Sequence, residues 1–399
     1  MTKNIISFFF LLLIVSSRAY AADAVKFFIS IHQKDPATNE KVLLLADSTD
    51  VVKGVAASAF LTGFSLEIEI TKMDTQSVDF NVQIVTLGAH SQTMAKRFKS
   101  EFDLPATVSD IEVKKGSLYS VTIVPHVIVQ VSDRQCNYNH NAESDFTLIP
   151  SANFDLHYLP ASLAYFHAPS IKNLMETEYR LFRGKFHFNM TSKLSVFLFP
   201  CEVHSVIWDN RFGSAVDPTR NNCYTLYGTD VNTADPFVLI HGAVLRSYGY
   251  APLFLSEGWA NYFSLALHEM KKIKKTGETF SLIDLLNTRK YLTANPIVSD
   301  AVPASFVRYL IDAYAPPKFL ELYENSNDIN LGAQIESIYS KPLKELESEW
   351  LNYVDTLKIS GKVYFQFAER AQQMINYPLM LEYTKAALEL APSRADSVP

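Results

Sequence analysis

Two segments of the chain concentrate residue types that bind metals or move protons. Ile240-His241-Gly242-Ala243-Val244-Leu245 carries an imidazole, and Leu255-Ser256-Glu257-Gly258-Trp259-Ala260-Asn261-Tyr262 carries a carboxylate shortly after it. An imidazole and a carboxylate are two ligands of the type zinc takes, but protein zinc sites use three or four, so a pair alone holds the ion weakly. Other side chains of suitable type are His187, His268 with Glu269, and His204 in Cys201-Glu202-Val203-His204, the last open as a further ligand if the chain folds back. If one helix runs from Pro252 to about Lys272, His268 stands 11 residues beyond Glu257, roughly 16 Å along the axis and too far to share a metal. Each residue also has a purely structural explanation. A histidine packs into an apolar helix face, and an acid in a first helical turn is favoured by the helix dipole. No G-x-S-x-G, Walker, dinucleotide or cysteine-nucleophile pattern competes.

The elements that must position these residues are helical. Asp235 is suited to an N-cap with Pro236 at the first helical position, so a helix over Phe237 to Tyr248 is expected, stopped by Gly249. Pro252 opens the next helix, with Lys271, Lys272, Lys274 and Lys275 expected as its solvated, dipole-favoured end. Further helices are expected at 304–314, 343–358 and, as a tetratricopeptide-like pair, within 363–390. One such pair cannot bury its own face and must dock on the preceding domain or a partner.

Upstream the character changes. Phe64-Ser-Leu-Glu-Ile-Glu-Ile70 and Val78-Asp-Phe-Asn-Val-Gln-Ile84 alternate with period two, and β-rich runs occur at 25–31, 42–46 and 118–131. They predict a β-sandwich over 22–131. The polar stretch 132–144 reads as a linker, 145–358 as a mixed, mainly helical domain opening with strands near 146–149 and 193–199 around a helix at 170–182, and 359–399 as a helical tail. The expected class is α+β, in several domains.

Lys3, the apolar run Ile5 to Val15 and Ala19-Tyr20-Ala21 form a secretory signal peptide, residues 1–21. Its apolar core is well short of the ~20 residues a spanning helix needs, and no second span follows, so no integral membrane segment is expected after cleavage. The mature protein is expected to be secreted or periplasmic. A net charge of −6 without a Lys/Arg run gives no electrostatic footprint for nucleic acid. Export places Cys136, Cys201 and Cys223 where disulfides persist. A Cys201–Cys223 bridge would contribute roughly 3 kcal/mol by loop closure; three unpaired buried thiols are the alternative, and the absence of C-x-x-C argues against a zinc ribbon. Asn189-Met190-Thr191 is a glycosylation acceptor only where that machinery exists.

The His241 and Glu257 segments resemble the zinc core of gluzincin metallopeptidases, in particular the peptidase-MA-like group. There one helix bears HExxH and a second bears the third ligand in a sequence like W-L-x-E-G-x-A-x-Y. The resemblance extends over about 145–358, including Glu176, Glu178 and Tyr179 in one helix, the 194–199 strand, and Leu343 to Trp350. It places His241 at the first histidine ligand and Glu257 at the third ligand, on adjacent helices. Gly242 stands where the general-base Glu would be and Leu245 where the second histidine would be. A glycine cannot deprotonate water, and a leucine cannot coordinate a metal. The resemblance therefore implies a domain with no catalytic residues and no cofactor, His241 and Glu257 being vestigial and Leu245 an apolar wall. Such a domain is expected to keep a peptide-sized cleft and to act as a peptide- or protein-binding or envelope-associated module. The competing expectation is an active zinc-dependent peptidase with a non-standard ligand set. Gly242→Glu with Leu245→His is expected to create zinc affinity if the scaffold is intact.

Overall fold

The computed structural model describes residues 22–390 apart from 55, 62, 87–91, 115, 132–145, 161, 188, 189, 191, 201–213, 218, 219, 229–235, 374 and 375. The signal peptide, the linker, Cys136, Cys201, His204 and the acceptor Asn189 all lie outside the described residues.

Eight strands come first: β1 (Ala22–Lys34), β2 (Lys41–Val52), β3 (Ala57–Leu61), β4 (Phe64–Met73), β5 (Ser77–Thr86), β6 (Thr93–Glu101), β7 (Ala106–Lys114) and β8 (Ser117–Val131). They form two antiparallel sheets, ordered β2-β1-β8-β7 and β3-β4-β5-β6. Period-two sequence explains the packing: Leu66, Ile68 and Ile70 of β4 and Val78, Phe80 and Val82 of β5 share one core with Val25, Phe27 and Ile29 of β1 and Val121 and Ile123 of β8. β6 is an edge strand carrying Lys96, Arg97 and Lys99, charges that discourage pairing with another chain.

The second half is mixed. Strands β9 (Thr147–Pro150) and β10 (Phe154–Tyr158), helix α1 (Ala164–Phe186), and strands β11 (Leu194–Phe199), β12 (Ser214–Asp217) and β13 (Asn222–Leu226) precede eleven more helices. The sheet order is β12-β13-β11-β10-β9, with β10, β11 and β13 parallel and both edge strands antiparallel. Glu176 of α1 fastens the β9–β10 turn, accepting from the Ser151 hydroxyl, from the Asn153 N–H at 2.9 Å and from Asn153 Nδ2 at 2.7 Å.

The helices are α2 (Pro236–Tyr248), α3 (Leu253–Ala260), α4 (Ala266–Thr276), α5 (Leu282–Leu285), α6 (Thr288–Thr293), α7 (Pro296–Tyr314), α8 (Pro316–Asn325), α9 (Leu331–Tyr339), α10 (Leu343–Thr356), α11 (Gly361–Gln373) and α12 (Tyr377–Glu389). Pro236 opens α2 as expected, and Gly249, at φ 74°, follows its end. The single helix expected from Pro252 to Lys272 is instead two. Asn261 ends α3 by donating its side-chain amide to the Glu257 carbonyl at 3.3 Å, and the Ser264 hydroxyl accepts from the Ala266 N–H at 3.2 Å to start α4. Consecutive Tyr262 and Phe263 both pack on the core, which successive positions of one helix cannot do on the same face. The lysines at the end of α4 are tied down rather than merely solvated: Lys274 pairs with Asp355 at 2.5 Å, Lys272 with Glu382 at 2.7 Å, and Lys271 donates to the Leu357 carbonyl at 2.6 Å.

The two halves meet at Tyr250, between α2 and α3, whose ring joins the β-sheet core. Its hydroxyl and that of Thr288 donate to Asp328, and the Tyr119 hydroxyl of β8 lies 3.0 Å from the same carboxylate. Arg220 adds an ion pair to Glu67 of β4 at 2.6 Å. The α11–α12 pair docks on the preceding helices. Tyr364, Ala368 and Tyr383 pack with Leu265, and His268 Nδ1 lies 2.7 Å from the Tyr364 hydroxyl. Among the described residues no helix is long and apolar enough to cross a membrane.

Candidate functional site

Helix α2 lies on the central sheet at very short range. A Cβ built on Gly242 would meet Cys223 Sγ of β13 at 2.6 Å, Leu194 Cδ1 of β11 at 3.2 Å and Val216 Cγ1 of β12 at 3.5 Å. Position 242 therefore faces the sheet, and glycine is what lets the helix approach. Cys223 is a free, fully buried thiol. Burial raises its pKa far out of thiolate range, so it is chemically inert. Its expected partner Cys201 lies outside the described residues. Leu245 is buried in the main core.

His241 is part-buried, its ring stacked on Phe237 one turn earlier with centroids 5.8 Å apart. Its Nε2 is closed off from solvent and has no hydrogen-bond partner among the described residues. Burial lowers its pKa to about 4, so the imidazole is neutral at physiological pH.

Glu257 sits on α3, which packs on α2 and on α7. The second contact is made possible by Gly258, where a Cβ would lie 2.8 Å from the Pro303 carbonyl oxygen and 2.8 Å from Val307 Cγ2. Trp259 is completely buried among Phe182, Phe186, Tyr248, Phe319 and Tyr323, which fixes the rotation of α3. The Glu257 carboxylate accepts a hydrogen bond from the Tyr291 hydroxyl of α6. Tyr291 was not singled out from sequence, because it follows Glu257 by 34 residues and belongs to a six-residue helix without periodicity. Tyr262 donates to Asp312 of α7, which also accepts from Tyr353 of α10 at 2.8 Å.

His241 and Glu257 offer one imidazole and one carboxylate on neighbouring helices, fewer than the three or four ligands that protein zinc sites use; Gly242 is pressed on the sheet, Leu245 is core, and the Glu257 carboxylate accepts from Tyr291. Among the described residues one group of three side chains could share an ion: His268, Glu269 and Glu382. Its atoms are already paired with one another and with neighbouring side chains. His268 Nε2 lies 3.0 Å from Glu382, His268 Nδ1 faces Tyr364, and the Lys272 ammonium lies 3.2 Å from Glu269 and 2.7 Å from Glu382. A cation is thus already supplied by the chain, and the cluster fastens α12 to α4. His187 caps the C-terminus of α1 in the left-handed region, φ 55°.

Along the N-terminal part of α2 runs a narrow cleft bounded by Glu178 and Phe182 of α1, Phe237 and Ile240 of α2, Asn261 after α3, and Arg370 of α11; His241 does not line it. Its open volume is about 20 Å³, enough for one water molecule. No family model matches this chain, and no curated protein matches it.

Proposed function

We propose that the chain is an exported, non-hydrolytic peptide- or protein-binding protein built on a gluzincin-like domain. In this reading residues 22–131 are a β-sandwich domain, 145–358 the peptidase-like domain and 359–399 a helical tail, and the mature protein acts outside the cytoplasm, secreted or in a periplasm. The observation that carries the reading is the packing of position 242. A helix whose would-be general-base position is pressed against Cys223 at 2.6 Å has no room for a carboxylate facing a metal. Glu257 engaged by Tyr291, and a neutral His241 stacked on Phe237, support the same conclusion. Along the seam of α1, α2 and α3 the aromatic Phe182 and Phe237 and the polar Glu178 and Arg370 line a space for one water, so peptide binding rests on the resemblance and not on the size of this cleft.

The test is selection of peptides from a displayed library on the full chain, followed by titration on the wild type and on Phe237→Asp. The reading expects enriched peptides whose affinity falls at least ~10-fold in the variant. Failure to enrich any peptide, or cleavage of peptides in a zinc-dependent manner, overturns it.

A further inference from the structure

The outward face of the β2-β1-β8-β7 sheet carries a solvent-open groove of about 410 Å³, lined by Phe28, Ile29 and Ser30 of β1, Ala46 and Ser48 of β2, and Val124 of β8. That volume falls within the range of small-molecule sites. Strand register builds the groove. Phe28 lies between Ser48 and Val124, and Ser30 between Ala46 and Thr122, so small side chains leave depth beside one large ring. Phe28 is 44% exposed, whereas Phe27 and Ile29, on the opposite face, are buried in the core. Its ring lies 5.0 Å from that of His126, and His126 Nδ1 lies 2.5 Å from Asp103 Oδ1. Asp103 adopts φ 67°, and its N–H donates to the Pro125 carbonyl at 2.7 Å. An imidazole–carboxylate pair is thereby fixed beside the ring, with both side chains exposed.

These features select an occupant. None of the lining residues is charged, and the charges that flank the groove are matched, Lys26 with Asp50 at 3.7 Å and Asp103 with His126, which disfavours an ionic ligand. Strand β1 is hydrogen-bonded on both sides, to β2 and β8, so an extended peptide finds no open edge there to pair with. What the groove offers is one aromatic face above a floor of small residues, with a hydrogen-bonding pair at its side. An all-equatorial pyranose has the complementary chemistry: its axial C–H bonds suit the electron-rich face of an aromatic ring, and its rim carries hydroxyls. We propose that this groove binds a neutral, β-1,4-linked saccharide, with one sugar ring stacked on Phe28 and its hydroxyls hydrogen-bonded to Asp103 and His126. The site lies in the all-β half of the chain and stands independently of peptide binding near α2 and α3.

The experiment titrates the full chain calorimetrically with cellohexaose and chitohexaose, two neutral β-1,4-linked probes, and with a galacturonic acid hexamer as a charged one. At least one neutral probe is expected to bind, and its affinity should fall at least ~10-fold in Phe28→Ala, which removes the stacking face. Asp103→Ala should weaken it as well. Ala46→Lys leaves Phe28 in place but fills the floor beside it; the same loss in that variant covers the case in which Phe28→Ala fails to fold. Phe365→Ala, which removes an exposed aromatic ring of α11, should bind as the wild type does. No measurable binding of either neutral probe overturns the site. So does binding that survives both groove variants, binding lost equally in Phe365→Ala, or a preference for the charged hexamer.

Discussion

Cys223 lies so close beneath Gly242 that a methyl group added to the glycine would sit 2.6 Å from the sulfur. Gly242 is therefore half of a packing pair. Two predictions follow from it, one for stability and one for attempted restoration of a metal site.

Gly242→Ala should destabilise the protein by about 1–3 kcal/mol through overpacking, net of the ~1 kcal/mol that alanine gains in a helix. In a Cys223→Ala background the same substitution should be close to neutral, because the new methyl takes the space the sulfur leaves. Urea unfolding of the four proteins gives the coupling directly. Equal cost of Gly242→Ala in both backgrounds would contradict the contact. For the same reason Gly242→Glu with Leu245→His should yield a less stable protein without zinc affinity. The zinc affinity expected of that double variant requires an intact scaffold, and position 242 faces β11, β12 and β13.

Gly258→Ala should cost more, on the order of 3 kcal/mol, because the obstructing atoms include the Pro303 carbonyl, which cannot rotate away. Thermal unfolding of Gly258→Ala with and without Pro303→Ala checks this. Relief by the second substitution would show that the ring rather than the backbone sets the contact.

His241 gives a pH signature. Its folded pKa is lowered by burial to about 4 from 6.5 in the unfolded chain, so between those values the unfolded state binds the proton and the native state does not. Stability should be unaffected above pH 6.5 and fall as the solution is acidified towards pH 4, with about 2–3 kcal/mol lost from this group by pH 4.5. A His241→Phe chain should lack that component when unfolding is compared at pH 7.5 and pH 4.5. An identical pH slope in both proteins would mean that the imidazole is solvated.

Asp328 joins the halves of the molecule. Burial pushes its carboxyl up, while hydrogen bonds from Thr288, Tyr250 and Tyr119 favour its ionised form. Asp328→Ala leaves those buried hydroxyls without their acceptor and should cost about 3 kcal/mol. Hydrogen exchange should then accelerate in the segment joining α2 to α3. Unchanged exchange around Tyr250 would show that the β-sheet core alone anchors that tyrosine.

Much of this architecture was legible in sequence because it is periodic. The alternation of β4 and β5, the Pro236 start and Gly249 stop of α2, and the paired tail helices all follow from local rules. What was not legible depends on contacts distant in sequence or on broken periods. β6 reads as polar because an edge strand tolerates Lys96, Arg97 and Lys99. β7 loses its alternation at a bulge where Asp110 adopts φ 61°. The break between α3 and α4 comes from tertiary burial of Tyr262 and Phe263, which no helix signal reports. At the site, sequence placed His241 and Glu257 on neighbouring helices. It could not show that Tyr291 engages Glu257 or that Gly242 faces a thiol, because each partner lies on an element fixed only by the fold.

The central proposal, that the His241 and Glu257 helices do not make a zinc peptidase, is tested most directly by metal analysis of the purified, zinc-incubated full chain with a parallel peptidase assay. The account predicts no stoichiometric zinc and no cleavage, with His241→Ala indistinguishable from wild type in both. Stoichiometric zinc together with peptide hydrolysis, both abolished by His241→Ala, would contradict it.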